Sequence, residues 1–146
     1  MNITSKFLGE VEIKEEQIIH FPNGLPGFED EKQFVILPLE ENSPFAVLQS
    51  TENSHVGFVV VYPFAFHPNY AFDLPEEEIA KLEVESPKDC LTFAIMTLKE
   101  PFTDSTINLK APIIVNVKAK CGKQLILHDT DYPIRFPLSE SIGKGE

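Results

Sequence analysis

The chain has 146 residues, 42% of them hydrophobic, with 23 acidic side chains against 12 basic ones and a formal net charge of −11. That length and apolar content suit one folded domain with its own core and argue against a disordered chain. No apolar run is long enough to span a bilayer, and with Arg135 as the single arginine there is little cation to meet the phosphates of RNA or DNA.

The charge is unevenly spread, with −12 over residues 1–100 and +1 over residues 101–146. An acidic face attracts a basic partner protein and repels nucleic acid from it. It also serves plain solubility, and charge by itself does not choose between the two.

The N-terminus, Met1-Asn2-Ile3-Thr4-Ser5-Lys6, lacks the apolar stretch of a secretion signal, which predicts a cytoplasmic location. β runs are expected over residues 3–7, 10–13 and 17–21, with Leu8-Gly9 as the tight turn joining the first two. Then comes Phe21-Pro22-Asn23-Gly24-Leu25-Pro26-Gly27-Phe28-Glu29. Its two prolines fix φ and its two glycines permit positive φ, so it reads as a rigid loop stapled to a core by Phe21, Leu25 and Phe28. The acidic run Glu29-Asp30-Glu31 is expected in solvent.

Further β runs are expected over residues 33–37, 45–49 and 56–62. The stretch Tyr62-Pro63-Phe64-Ala65-Phe66-His67-Pro68-Asn69-Tyr70-Ala71-Phe72 is too dense in aromatics for an ordinary loop. It reads either as an irregular cover over the core or as an apolar docking surface, since aromatic anchors with a charged rim make protein–protein hot spots. One short helix follows, capped by Asp73, with Pro75 in its first turn and Glu76, Glu77 and Glu78 at the positive end of its dipole. Ile79, Ala80 and Leu82 supply its buried stripe, Pro87 stops it, and it is expected to close one end of the β structure.

After a β run over residues 91–98, the dominant period is two. Ile107, Leu109, Ala111, Ile113, Val115, Val117 and Ala119 alternate with a mostly polar set, which predicts a long half-buried strand, bulged or at an edge because Pro112 cannot donate to a ladder. Asn108, Lys110 and Asn116 then share its exposed face, although strand amides equally pair with backbone. Cys121-Gly122-Lys123 reads as a turn into a last β run over residues 124–128, and residues 139–146 read as a flexible tail. The fold class expected is mainly β: a small antiparallel β-barrel-like single domain over residues 1–138 with one short α-helix.

Little here is arranged for chemistry. His20, His55, His67 and His128 are not at metal-ligand spacing, and Cys90 and Cys121 form no Cys-x-x-Cys pair, so two free thiols are the expected state. His128-Asp129-Thr130-Asp131 is the single local cluster of ligand types, and a loop is its ordinary reading. No nucleophile elbow or phosphate-cradling glycine loop is present, so no enzyme, no metal and no cofactor are expected.

Several separated blocks, in order, resemble the bacterial flagellar assembly factor family. They are Gly24-Leu25-Pro26-Gly27-Phe28-Glu29, Pro44-Phe45-Ala46-Val47-Leu48-Gln49-Ser50, the Phe58, Pro63 and Pro68-Asn69-Tyr70 block, Asn108-Leu109-Lys110-Ala111-Pro112-Ile113 with Asn116, and Gln124 with the apolar run after it. Asn69 departs from the acid more usual in the family before the tyrosine.

The resemblance implies a partner switch. Members bind flagellin, and they bind and antagonise the RNA-binding carbon storage regulator (CsrA) non-competitively, which relieves repression of flagellin translation. From composition alone, no direct nucleic-acid binding and no membrane binding are expected. On the sequence, Phe64, Phe66, Tyr70, Asn108, Lys110 and Asn116 are the candidate partner contacts. Glu29, Asp30, Glu31, Glu76, Glu77 and Glu78 are the candidate RNA-repelling surface. Two other readings stay open: a flagellin export chaperone with no translational role, and a small enzyme using His128, Asp129 and Asp131.

Overall fold

The computed structural model describes residues 1–128 and 130–138. It opens with a hairpin of β1 (Asn2–Ser5) and β2 (Gly9–Glu12), paired Ser5 to Gly9. The Ser5 hydroxyl closes the turn by accepting the N–H groups of Phe7 and Leu8, each at 3.3 Å.

Seven strands then form a closed barrel. These are β3 (Ile19–His20), β4 (Gln33–Pro38), β5 (Phe45–Ser50), β6 (Gly57–Val61), β7 (Cys90–Thr97), β9 (Ile113–Asn116) and β10 (Cys121–Gln124). From β3 to β7 each strand pairs with the next, β7 pairs with β9, β9 with β10, and β10 returns to β3. Two short strands, β8 (Thr106–Ile107) and β11 (Phe136–Pro137), extend the sheet beyond β7. The mainly β barrel with a short α-helix, α1 (Glu76–Lys81), is as expected, with one difference. The β3–β10 pair, His20 opposite Cys121, is parallel, a pairing that a tight hairpin cannot make and that here joins distant parts of the chain.

The interior is filled by Phe21, Phe34, Leu48, Val60, Phe93, Ile113 and Val115. Phe21 and Phe34 meet edge to face at 5.1 Å between centroids. Gly122 lies in β10 and is not a turn residue as expected. A Cβ there would come within 2.6 Å of the Phe21 ring, so the glycine makes room for the core. The turn before β10 comes earlier and is closed by the Lys120 N–H on the Asn116 carbonyl at 2.8 Å, with Lys120 at φ 59°.

The outside of the barrel is covered on three flanks. The β1–β2 hairpin brings Ile3, Val11 and Ile13 over Val35, Leu37 and Val47. The aromatic segment lays Tyr70, Phe66 and Phe72 over Val59, Val61, Ala94 and Met96. The end of α1 sets Leu82 over Ile114 and Cys121. Strands buried on both faces read as near-continuous apolar runs, which explains Gly57-Phe58-Val59-Val60-Val61.

Four further expectations are corrected. α1 lies on the flank of β9 and β10 instead of closing an end, and Asp73 does not cap it: Pro75 occupies the cap position with no side-chain bond. The long strand over residues 107–119 is broken between Ile107 and Ile113. The Asn108 side-chain oxygen accepts the N–H groups of Lys110 and Ala111 at 3.0 and 3.1 Å, and this local turn wins over the ladder. The last β run shrinks to Gln124, after which the Leu125 and Leu127 N–H groups donate to the carbonyls of Pro112 and Lys110. The tail expected over residues 139–146 lies outside the described residues, as does Asp129.

Candidate protein-binding surface

The six candidate partner contacts do not form one exposed face. Asn116 is 1% exposed because its side of β9 is roofed by α1. Its side-chain amide donates to the carbonyls of Leu82 and Glu83 at 2.8 and 3.1 Å, and its oxygen accepts the N–H groups of Lys118 and Ala119, both at 3.0 Å. All four hydrogen-bonding positions of the amide are used inside the molecule. Asn108 is half-buried and bonded within its own turn, with Lys110 half-buried beside it.

Tyr70 is also a structural residue. It is 2% exposed, its hydroxyl donates to the Leu109 carbonyl at 2.7 Å, and its ring meets Tyr132 edge-on at 4.6 Å. Burial, and secondarily the neighbouring Tyr132, push its phenol well above the ordinary tyrosine range. Phe66 is half-buried against Phe45, which also meets the exposed Phe102 at 5.8 Å. Phe64 is exposed, with its ring 5.8 Å from Tyr70.

The acidic candidates divide the same way. Glu29, Asp30, Glu76 and Glu77 are exposed. The Glu29 carboxylate accepts the Gly27 N–H at 2.9 Å, which with its own backbone N–H holds it below the usual carboxylate range. Glu31 is half-buried and grips a neighbouring loop, accepting the Ser50 hydroxyl at 2.8 Å and the Asn53 amide at 3.2 Å. Glu78 is buried in spite of its place in an all-acid run. It receives Lys123 at 2.6 Å and Lys81 at 3.7 Å, so its charge is compensated where it stands.

Gly24 shapes the Phe21–Glu29 loop. It sits at φ 63°, and a Cβ there would fall 2.6 Å from the Phe28 carbonyl. Phe21 and Leu25 are buried, as expected of staples, whereas Phe28 stays exposed with its ring edge-on to Phe58 at 5.3 Å.

The sequence does not show the groove that these elements enclose, of about 470 Å³, between the aromatic segment and α1. Phe64 and Phe72 line one side, Ile79 and Val84 the other, and Cys90, Thr92 and Ile114 the floor. The signal for it was the aromatic stretch lying directly before an acidic helix. Among the described residues no group of three or more histidine, cysteine or acidic side chains is placed to hold a metal. No helix among them is long and apolar enough to cross a membrane.

The fold and this surface define a small closed-barrel domain with an apolar groove under an acidic helix. The family model described as FliW protein matches residues 2–138, and the chain belongs to that family. It is 51% identical over 138 residues to the flagellar assembly factor FliW of Bacillus licheniformis, covering 94% of this chain and 96% of that protein. It is 50% identical over 138 residues to the factor of the same name from Bacillus subtilis, with the same coverage. A crystal structure of the flagellar assembly factor FliW superposes with a TM-score of 0.90 at 41% identity, covering 94% of this chain and 96% of that one.

Proposed function

We propose that this flagellar assembly factor works in the cytoplasm as a partner switch between flagellin and the carbon storage regulator CsrA. It binds the regulator, lowers the regulator's hold on the flagellin message, and gives it up when flagellin accumulates. No covalent step is needed, and the protein is not an enzyme. Membership of the assembly-factor family carries this reading.

The charge distribution supports a physical route to non-competitive antagonism. Residues 1–100 bring −12 to the side of whatever they dock on, and screening limits the reach of that field to about 8–10 Å in physiological salt. A body docked beside an RNA site therefore raises the cost of bringing in phosphates without covering the site. Of the six acidic candidates, Glu78 is neutralised by Lys123 and Glu31 is half-buried, so the exposed ones are Glu29, Asp30, Glu76 and Glu77.

The test is calorimetric titration with purified CsrA, with and without saturating flagellin. Binding that flagellin abolishes is the expected result. Binding to flagellin alone would favour the export-chaperone reading, to which the exposed Phe64 and Phe102 are equally suited. Binding to neither would sink both.

A further inference from the structure

Residues 125–128 carry the line of β10 past its end at Gln124. The Leu125 and Leu127 N–H groups donate to the Pro112 and Lys110 carbonyls at 2.9 and 2.8 Å, in the antiparallel register set by Gln124 opposite Ile113. The return bonds are missing for reasons visible in the sequence. Pro112 has no N–H to give, and that of Lys110 goes to the Asn108 side chain. Burial still alternates as in a strand, with Leu125 and Leu127 buried and Ile126 and His128 exposed.

In such a segment the even-numbered residues turn their N–H and C=O groups to the opposite edge. At the head of β10 that edge is taken by β3, where the His20 N–H donates to the Lys120 carbonyl at 2.9 Å. The next β3 position that could donate is Pro22, so the parallel ladder stops there. Among the described residues, the backbone groups of Ile126 and His128 meet no partner. Residues 124–128 contain no lysine or proline of the kind that blunts an edge, and Ile126 is 53% exposed.

A cavity of about 630 Å³ runs along this edge, between residues 123–128 and the stretch from Ala71 to Glu78. Asp73, Glu77 and Glu78 line it, with Lys123 as its lysine. Lys123 is engaged by Glu78, which leaves Asp73 and Glu77 exposed and uncompensated. A helix has no backbone groups to offer an open edge, whereas an extended chain pairs with it. A second copy of this chain, itself at −11, would be repelled.

We infer that the open edge at Ile126 and His128 takes an extended segment of a partner protein as an added strand, with lysine or arginine side chains beside Asp73 and Glu77. Lys123 and Leu125 reach Glu78 and Leu82, so the odd-numbered side chains face α1 and Ile126 faces away. Laterally adjacent side chains share a face. The partner residue beside Ile126 is therefore apolar, and its neighbours beside Leu125 and Leu127 are basic. The inference rests on the partner-binding reading above and gives one contact of that reading its chemistry.

Amide hydrogen exchange of the full chain, followed residue by residue by NMR, reads the edge directly. In the free protein Leu125 and Leu127 should exchange slowly and Ile126 and His128 fast. Three peptides serve as probes: Lys-Val-Lys-Val-Lys flanked by glycines, the same peptide with every backbone nitrogen methylated, and its counterpart with glutamate for lysine. Calorimetry first gives the Kd of the lysine peptide.

At ten times that Kd the lysine peptide is expected to slow exchange at Ile126 about tenfold, as mass action requires when only the free protein exchanges. The other two peptides are expected to leave it unchanged. No binding of the lysine peptide, or binding without slowing at Ile126, overturns the inference. Equal slowing by the methylated peptide overturns strand addition, and equal slowing by the glutamate peptide overturns the basic partner.

Ile126→Pro removes the N–H at the centre of the edge and should abolish slowing at His128. That N–H has no partner inside the molecule, so the fold should stand, which circular dichroism checks; the unmutated protein gives the exchange result regardless. Flagellin and CsrA are then tried in place of the peptide. If calorimetry detects both and neither slows exchange at Ile126, the edge inference falls while the partner switch stands. If calorimetry detects neither, the partner switch falls, and the peptide exchange alone decides the edge.

Discussion

Asn116 donates its side-chain amide to the carbonyl of Leu82 at 2.8 Å, across 34 positions of sequence. This bond joins the end of α1 to the outer face of a barrel strand. The Lys123–Glu78 ion pair, the Cys121 thiol on the same carbonyl and the packing of Leu82 on Ile114, Cys121 and Leu125 tie the helix to the same flank.

Asn116→Ala would take a partner from two carbonyls and two N–H groups, of which the Leu82 carbonyl keeps the Cys121 thiol and those of the exposed Glu83 and Lys118 can turn to water. The expected cost is about 1–3 kcal/mol, the range for a buried group left unpaired. The measurement is urea unfolding followed by fluorescence of the tyrosines. An unchanged midpoint would mean that water satisfies the site.

Tyr70 should make stability depend on pH in the alkaline range. Its folded pKa is raised by burial, so its contribution is fully present below the unfolded tyrosine value of about 10 and is lost as pH rises beyond it. Between those two values the unfolded chain releases a proton that the native one keeps, and stability falls by about 1.4 kcal/mol per pH unit. Subtracting the unfolding curve of Tyr70→Phe from that of the unaltered protein isolates the slope, and a flat difference would refute it.

Gly122→Ala should destabilise the barrel by about 1–3 kcal/mol, the usual cost of overpacking a core. The added methyl meets the Phe21 ring end-on at 2.6 Å, and Phe21 is itself fully buried against Phe34. Pairing it with Phe21→Leu should recover part of the loss in thermal melts. Failure to recover any would place the strain in the backbone of β10 instead.

Replacing Glu29, Asp30, Glu76 and Glu77 together by their amides should leave stability within about 0.5 kcal/mol, since all four are exposed. RNA retained by the regulator in the ternary mixture should rise about tenfold, the low end of what steering fields do to association. Gel-shift titration at two salt concentrations reads this out. If RNA exclusion is untouched, repulsion by these four charges is not the mechanism.

The barrel was legible in the sequence because strand runs such as Phe45-Ala46-Val47-Leu48-Gln49 and Cys90-Leu91-Thr92-Phe93-Ala94-Ile95-Met96 are short and bounded by turn residues. The site was much less so. Alternation from Ile107 to Ala119 looks like a strand in period alone, yet Asn108 and Asn116 each turn the chain by accepting N–H groups two and three residues ahead. An asparagine followed by such a turn is a local contest between side chain and ladder that periodicity does not register. Burial of Asn116, Tyr70 and Glu78 depends on which layers cover the outside of the barrel, a long-range fact that no local pattern carries. The place of Glu78 was hidden further by its neighbours Glu76 and Glu77, which are exposed.

The seam between β3 and β10 sets the order in which this chain can finish folding. His20 meets Cys121, so the first barrel strand waits for a partner made about a hundred residues later. During synthesis on the ribosome β3 keeps an open edge until that partner has emerged, and the cylinder cannot be sealed in part. Loop closure over such a span is slow, and open edges invite pairing with other nascent chains. The interval between the two strands is thus the period in which the chain is most exposed to aggregation, and the point at which a folding helper would act.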